Sequence, residues 1–267
     1  MRLHIRHRTS YDYTAPLAYT IQQLHLTPRR ESQQQVLAWS IHAPGKLAAF
    51  TDAFGNASHT LTVNAPHQAL SIVASGEVET SAPEAGRLQE DSPLSPLVYT
   101  VPTRLTAPNG AILELAAACL PEGRAQTRDM LRLAEHIFGA VRYQHGATGV
   151  ATTASEAITL GQGVCQDHAH LFIACCQAQG IPARYVSGYV DPETDDYAAS
   201  HAWVDAWVED RTHCGWVSID VTHARLMTDA YCRLAVGRDY ESAAPIRGMR
   251  RGGGTESLSV DVLVTQQ

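Results

Sequence analysis

Cys165 closes a two-glycine turn, Gly161-Gln162-Gly163-Val164, and opens the segment Gln166-Asp167-His168-Ala169-His170-Leu171-Phe172. Ala169, Phe172 and Cys176 follow it at helical spacing, and Gly180 with Pro182 punctuates a helix C-terminus. The cysteine therefore falls in the first turn of a helix, where unpaired N–H groups and the positive end of the dipole favour a thiolate over a thiol. A thiolate there attacks carbonyl carbon. The bland alternative is a small buried core residue, which gains nothing from that position.

A thiol nucleophile needs a base, and the base needs a third group to fix its tautomer. The stretch His201-Ala202-Trp203-Val204-Asp205-Ala206-Trp207-Val208 is apolar at every even position, and Trp216-Val217-Ser218-Ile219-Asp220-Val221 is apolar at the odd ones, as for two half-buried strands. Paired antiparallel with Val204 opposite Val217 and Ala202 opposite Ile219, they put His201 directly opposite Asp220, on one face and ~4.5–5.5 Å apart at Cβ. A slip of two residues keeps the same faces inward. Cys165, His201 and Asp220 are thus the candidate nucleophile, base and orienting acid, with Asp205 on the same strand face as the substitute acid. For the oxyanion, the Cys165 backbone N–H is the natural donor, with Gln162 or Tyr143 as side-chain candidates. Trp203, two residues from His201, is a candidate to wall the acyl site or to shield the ion pair from water.

Around these residues the chain is an ordinary globular one, with 267 residues, 45% hydrophobic and 18% charged. That length suggests two domains. A net charge of −7 and a single small basic cluster, Arg247 to Arg251, argue against nucleic acid. The first eight residues lack the apolar core of a signal peptide, and no run of ~18 apolar residues offers a membrane span, so a cytoplasmic protein is expected. Six cysteines at no framework spacing fit reduced thiols.

In chain order, residues 1–80 alternate as strands at Leu3 to Tyr13, Leu61 to Val63 and Leu70 to Ile72, with a turn at Asp52-Ala53-Phe54-Gly55-Asn56, and predict a small β-sandwich or barrel. Residues 81–96 carry three prolines and no periodicity, and read as a linker. Helices follow at Ala111 to Leu120 and at Thr127 to Phe138, the second with Leu131, Ala134 and Phe138 on one face. Thr153 with Glu156 has the spacing of a capping box, opening a short helix that leads to the glycine turn. Strands are expected at Ala183 to Val190, His201 to Val208 and Gly215 to Val221. The whole is α+β, with 97–267 as a catalytic core that ends in a C-terminal strand.

The stretches Gly161 to Leu171, Gly180 to Tyr189, Ser200 to Trp203 and Gly215 to Asp220 resemble the bacterial transglutaminase-like superfamily. The N-terminal 80 residues, with Asp52 to Asn56, resemble the β-domain that precedes the core in a branch often labelled cysteine proteases, and Ala235 to Tyr240 with Pro245 to Gly248 resemble that branch's C-terminal segment. The resemblance implies a papain-like core, a Cys-bearing helix on an antiparallel sheet, and a Cys165–His201–Asp220 triad. It departs after the acid, where the family usually has Pro-Thr-Asn and this chain has Val221-Thr222-His223.

The expected chemistry is acyl transfer from a peptide or protein substrate, with hydrolysis of a peptide or isopeptide bond favoured over transamidation to an amine. No cofactor and no membrane partner is expected, and oligomeric state is not written in the sequence. Two rivals are a non-catalytic scaffold and a metal-binding module built on Cys165, Asp167, His168 and His170. Helix geometry opposes the second, since His170 lies about 200° round from His168. Asp191, Glu193, Asp195 and Asp196 lack the spacing and central glycine of a calcium loop.

Overall fold

The computed structural model describes residues 1–89, 94–121, 123–191 and 200–266. The alternation at the N-terminus runs on as a single strand, β1 (Arg2–Leu24), with Leu3, Ile5, His7, Thr9, Tyr11 and Tyr13 all turned inward and buried. Next come β2 (Gln34–His42), β3 (Lys46–Thr51), β4 (Ala57–Val63) and β5 (His67–Thr80). Both β4 and β5 pair with β1, lying end to end along one of its edges, while β3 and β2 flank them on the outside. The expected sandwich or barrel is realised as one curled antiparallel sheet that stays open. Its concave face holds Leu17, Leu24, Leu61, Leu70 and Ile72.

The predicted helices are present as α1 (Gly110–Cys119) and α2 (Thr127–Ala140). In α2 the buried stripe is Met130, Leu133, Ala134 and Ile137, whereas Phe138, expected on the apolar face, is 53% exposed. A short strand β6 (Arg142–Tyr143), the capped helix α3 (Ala154–Leu160) and β7 (Gln162–Gly163) lead into α4 (Cys165–Ala178). Buried on every side from Gln166 to Gln177, α4 packs across β8 (Ala183–Val190) and β9 (Ser200–Asp210). With β10 (His213–Asp220), β11 (Arg225–Leu226) and β12 (Tyr231–Gly237) these form an antiparallel sheet in the order β11-β10-β9-β8-β12. Phe172, Val204, Ala206, Val217 and Ile219 fill the layer between helix and sheet.

After the short helix α5 (Tyr240–Ala243) come β13 (Ile246–Gly252) and β14 (Glu256–Gln266). The C-terminal strand expected in the catalytic core belongs elsewhere: β13 and β14 pair with β1, end to end along its second edge. Nor is the 81–96 stretch a bare tether. Arg87 bridges to Val217 and the Leu88 N–H donates to the Trp216 carbonyl at 3.0 Å; residues 90–93 lie outside the described residues.

The outer edge of β12 is closed by side-chain amides from the N-terminal sheet. Gln34 Nε2 donates to the Arg233 carbonyl and Gln34 Oε1 accepts the Arg233 N–H, both at 2.9 Å. Asn56 does the same to Val236, at 2.8 and 2.9 Å. Each amide thus replaces one rung of a strand ladder. Asn56 is held for this by the Asp52 turn, where the Asp52 carboxylate accepts the Phe54 and Asn56 N–H groups and Gly55 takes the left-handed φ of 78°.

Candidate active site

Cys165 is the first residue of α4, so its N–H has no intrahelical acceptor. The first turn is fixed by Asp167, whose carboxylate accepts the Val164 N–H at 2.8 Å and the Thr148 hydroxyl at 2.6 Å. Burial pushes the Asp167 carboxyl up against those bonds. Gly163 is required here, because a Cβ would lie 2.7 Å from that of Asp167. Tyr143 and Gln162 both sit on the two-stranded parallel ribbon of β6 and β7 that feeds the helix start, Tyr143 level with Gly163 and Gln162 level with Arg142.

His201 stands on β9 by the start of α4. Its Nε2 meets Asp220 Oδ2 at 2.9 Å, and Cys165 lies near enough to favour the charged imidazole. The pairing that brings this about differs from the expected one by two residues. Val204 lies opposite Ile219 and Ala206 opposite Val217, so the His201–Asp220 contact crosses the ladder diagonally. The apolar faces are unchanged by the slip, which is why the side chains still meet.

Burial by itself would drive the His201 imidazolium to lose its proton, but the Asp220 carboxylate and Cys165 outweigh it and hold the ring up at about 10. Asp220 is buried too, which favours its neutral form, yet His201 and His223 keep it well below the usual carboxylate range. Its Oδ2 accepts from His201, from His223 Nδ1 at 2.6 Å and from the Tyr231 hydroxyl at 2.6 Å, while Oδ1 takes the His223 N–H. His223 therefore occupies the departure from Pro-Thr-Asn and serves as a second imidazole on the acid. Among the described residues, His201, Asp220 and His223 are the group whose ligand atoms lie within 4.8 Å of one another, and each of those atoms is engaged in the hydrogen bonds just given.

Trp203 is fully buried, stacks on His201 at 6.1 Å between ring centroids and donates Nε1 to Ser218. It shields the back of the imidazole and walls no open space. Asp205 is unavailable as a substitute acid: Arg184 and Arg233 grip it at 2.8, 2.9 and 2.7 Å, and these guanidiniums, against the pull of burial, hold its carboxyl far down. His168 and His170, the metal-capable histidines of α4, are engaged by other partners. The first bridges Val141 and Thr222, and the second accepts the Tyr240 N–H. Of the acidic loop only Asp191 is described; Glu193, Asp195, Asp196 and Tyr197 lie outside the described residues. Tyr231 carried no signal in the sequence, since its role depends on β12 folding back past β10's end.

A buried imidazole bonded to a buried carboxylate thus stands near the thiol that opens α4, on this helix-and-sheet core. The chain belongs to the transglutaminase-like superfamily: residues 114–221 match the transglutaminase-like superfamily, and residues 3–79 match the bacterial transglutaminase-like N-terminal region. It is 30% identical to the uncharacterized protein ML0607 of Mycobacterium leprae over 288 residues, covering 99% of each chain. The uncharacterized protein Rv2569c of Mycobacterium tuberculosis is likewise 30% identical, over 98% of this chain and 92% of its own. In fold the chain is similar to the solved structure of a "Putative Cysteine Protease from Cytophaga hutchinsonii", with a TM-score of 0.78, 23% identity, and coverage of 99% of this chain and 90% of that one.

Proposed function

We propose that the protein is a cysteine-nucleophile acyl-transfer enzyme that hydrolyses peptide or isopeptide amide bonds through Cys165, His201 and Asp220. The observation that carries this reading is the buried His201 ring, bonded to Asp220 at 2.9 Å and electrostatically coupled to Cys165, a thiol at the start of a helix. The Cys165 sulfur attacks the carbonyl carbon, and the oxyanion forms beside the Cys165 N–H, with Gln162 or Tyr143 supplying the second donor. The His201 imidazolium gives its proton to the leaving amine as the C–N bond breaks. Water, deprotonated by His201, then cleaves the thioester and frees the thiol. His223 and Tyr231 act as positioning residues for Asp220. Transamidation differs only in that an amine replaces the water.

The test is selective alkylation followed by substrate partitioning. Cys119, Cys175, Cys176 and Cys232 are buried and burial pushes their thiols up, which leaves Cys165 and the exposed Cys214 as the reachable pair. Mass mapping after iodoacetamide at neutral pH is expected to find Cys165 modified fastest, and slowed to the rate of Cys214 in His201→Ala. Equal rates for the two cysteines in the unaltered protein would remove Cys165 from the nucleophile's role. With a peptide library and a primary amine present, release of free acid is expected to dominate; a dominant amine adduct would assign a transferase.

A further inference from the structure

The curled sheet has two outer edges, and they are built differently. On the β2 side the ladder to β5 is broken by a register shift between Val36 and Ala38, and Lys46 opens β3, both of which discourage another strand from adding. On the other edge β13 has a register shift between Leu17 and Tyr19 and carries three arginines, but β14 has neither device. Its eleven residues, Glu-Ser-Leu-Ser-Val-Asp-Val-Leu-Val-Thr-Gln, contain no proline, glycine or lysine, and they pair with β1 in unbroken register from Leu3 opposite Gln266 to Tyr13 opposite Glu256. Among the described residues β14 pairs with β1 alone, so its other edge is open.

The side chains on that strand are apolar on the wrong side for a solvated edge. Leu258, Val260, Val262 and Val264 share one face. Val264 is buried with Leu3, Ile5 and Leu234, yet Val260 and Leu258 are 52% and 54% exposed. Their partners on β1, Thr9 and Tyr11, are buried, so the inward face of the sheet is covered up to its last strand and uncovered there. An apolar stripe continuous with the core runs out along an unpaired backbone.

We infer that β14 pairs antiparallel with β14 of a second copy of this chain across a two-fold axis at Val260. A strand added to its own copy in this way is self-complementary, as a two-fold interface must be. Among axes at Ser259, Val260 and Asp261, the side chains favour the second. Centred on Val260, Leu258 faces Val262 of the other copy, Val260 faces Val260, and Ser259 faces Asp261. Centred on Asp261, two carboxylates face each other, which is destabilising. Centred on Ser259, Val262 faces Glu256. The interface joins the two curled sheets into one and leaves both Cys165 sites outside it.

Light scattering and sedimentation on the intact protein are expected to give twice the chain mass, falling to a single chain in Val260→Lys, whose circular dichroism and Cys165 labelling stay as in the unaltered protein because Val260 is exposed. In a Cys214→Ser background, mild oxidation is expected to cross-link Val260→Cys into a disulfide dimer, whereas Leu263→Cys, about 20 Å from its own copy at ~3.3 Å per residue, is not cross-linked. A single-chain mass at every concentration, a dimer that survives Val260→Lys, open-ended growth from β14 pairing head to tail with β2, or equal cross-linking of the two cysteine variants would each overturn the inference.

Discussion

Asp220 concentrates the chemistry of the site, because one carboxylate oxygen receives two imidazoles and a phenol. The cysteine, histidine and acid were legible from residue types and from the alternation of two strands. The pairing was not, since slips of two residues preserve every apolar contact and only tertiary packing chooses among them. His223 was visible as a departure but its partner was not, and Tyr231 arrives from a strand eleven residues on. Asp220→Asn keeps the volume and removes the charge, so turnover is expected to fall by roughly 10³–10⁴. His201, pushed up to about 10 by Asp220 and Cys165 against burial, will lose its proton at lower pH in that variant, and the alkaline limb of kcat/KM is expected to move down with it. An unchanged alkaline limb would mean that Asp220 does not set the charge on His201.

At the scale of elements, helices α1 to α4 and strands β8, β9 and β10 were readable from period and punctuation within a residue or two, whereas β11, β12 and α5 were not. Nor were β2 and β3, because Gln34, Gln35, Ser40 and His42 dilute the alternation of β2 and because five of the nine residues of β2 and five of the six of β3 are exposed. The Asp52–Asn56 turn read as a hairpin device, yet its main product is the amide that closes β12. Asn56→Ala takes the amide from both the N–H and the carbonyl of Val236 and is expected to cost roughly 2–6 kcal/mol, at ~1–3 for each group, whereas Gln34→Ala costs less because the Arg233 carbonyl also accepts the Arg29 N–H at 3.0 Å. Urea unfolding measures it; a loss below ~0.5 kcal/mol for both variants would show that water replaces the amides without penalty.

Across the whole molecule, titration sets a stability window. His7 bridges Tyr189 and Thr9 inside the sheet contact, and burial lowers both it and His170 to about 4. The unfolded chain takes up these protons below about 6.5 while the folded chain does not, so stability is full above that pH and falls as pH drops from 6.5 toward 4, by roughly 3 kcal/mol per histidine. His201 works in the opposite sense: its contribution is present below 6.5 and is lost as pH rises through about 10. A thermal midpoint recorded against pH is expected to peak near neutrality and to decline on both sides. A flat profile between 6.5 and 4 would contradict the burial of His7 and His170.

The partner of β1's second edge is encoded more than two hundred residues after it. During synthesis β1 can settle against β4 and β5 early, but it must wait with an open edge while the helices and the catalytic sheet are made, and only then do β13 and β14 reach it. The ladder so formed is among the most non-local in the chain, and such contacts slow folding because the intervening loop must close first. β1 is thus the earliest strand to appear and one of the last to be finished, and a nascent chain halted before Ile246 carries an exposed strand edge that a chaperone would recognise.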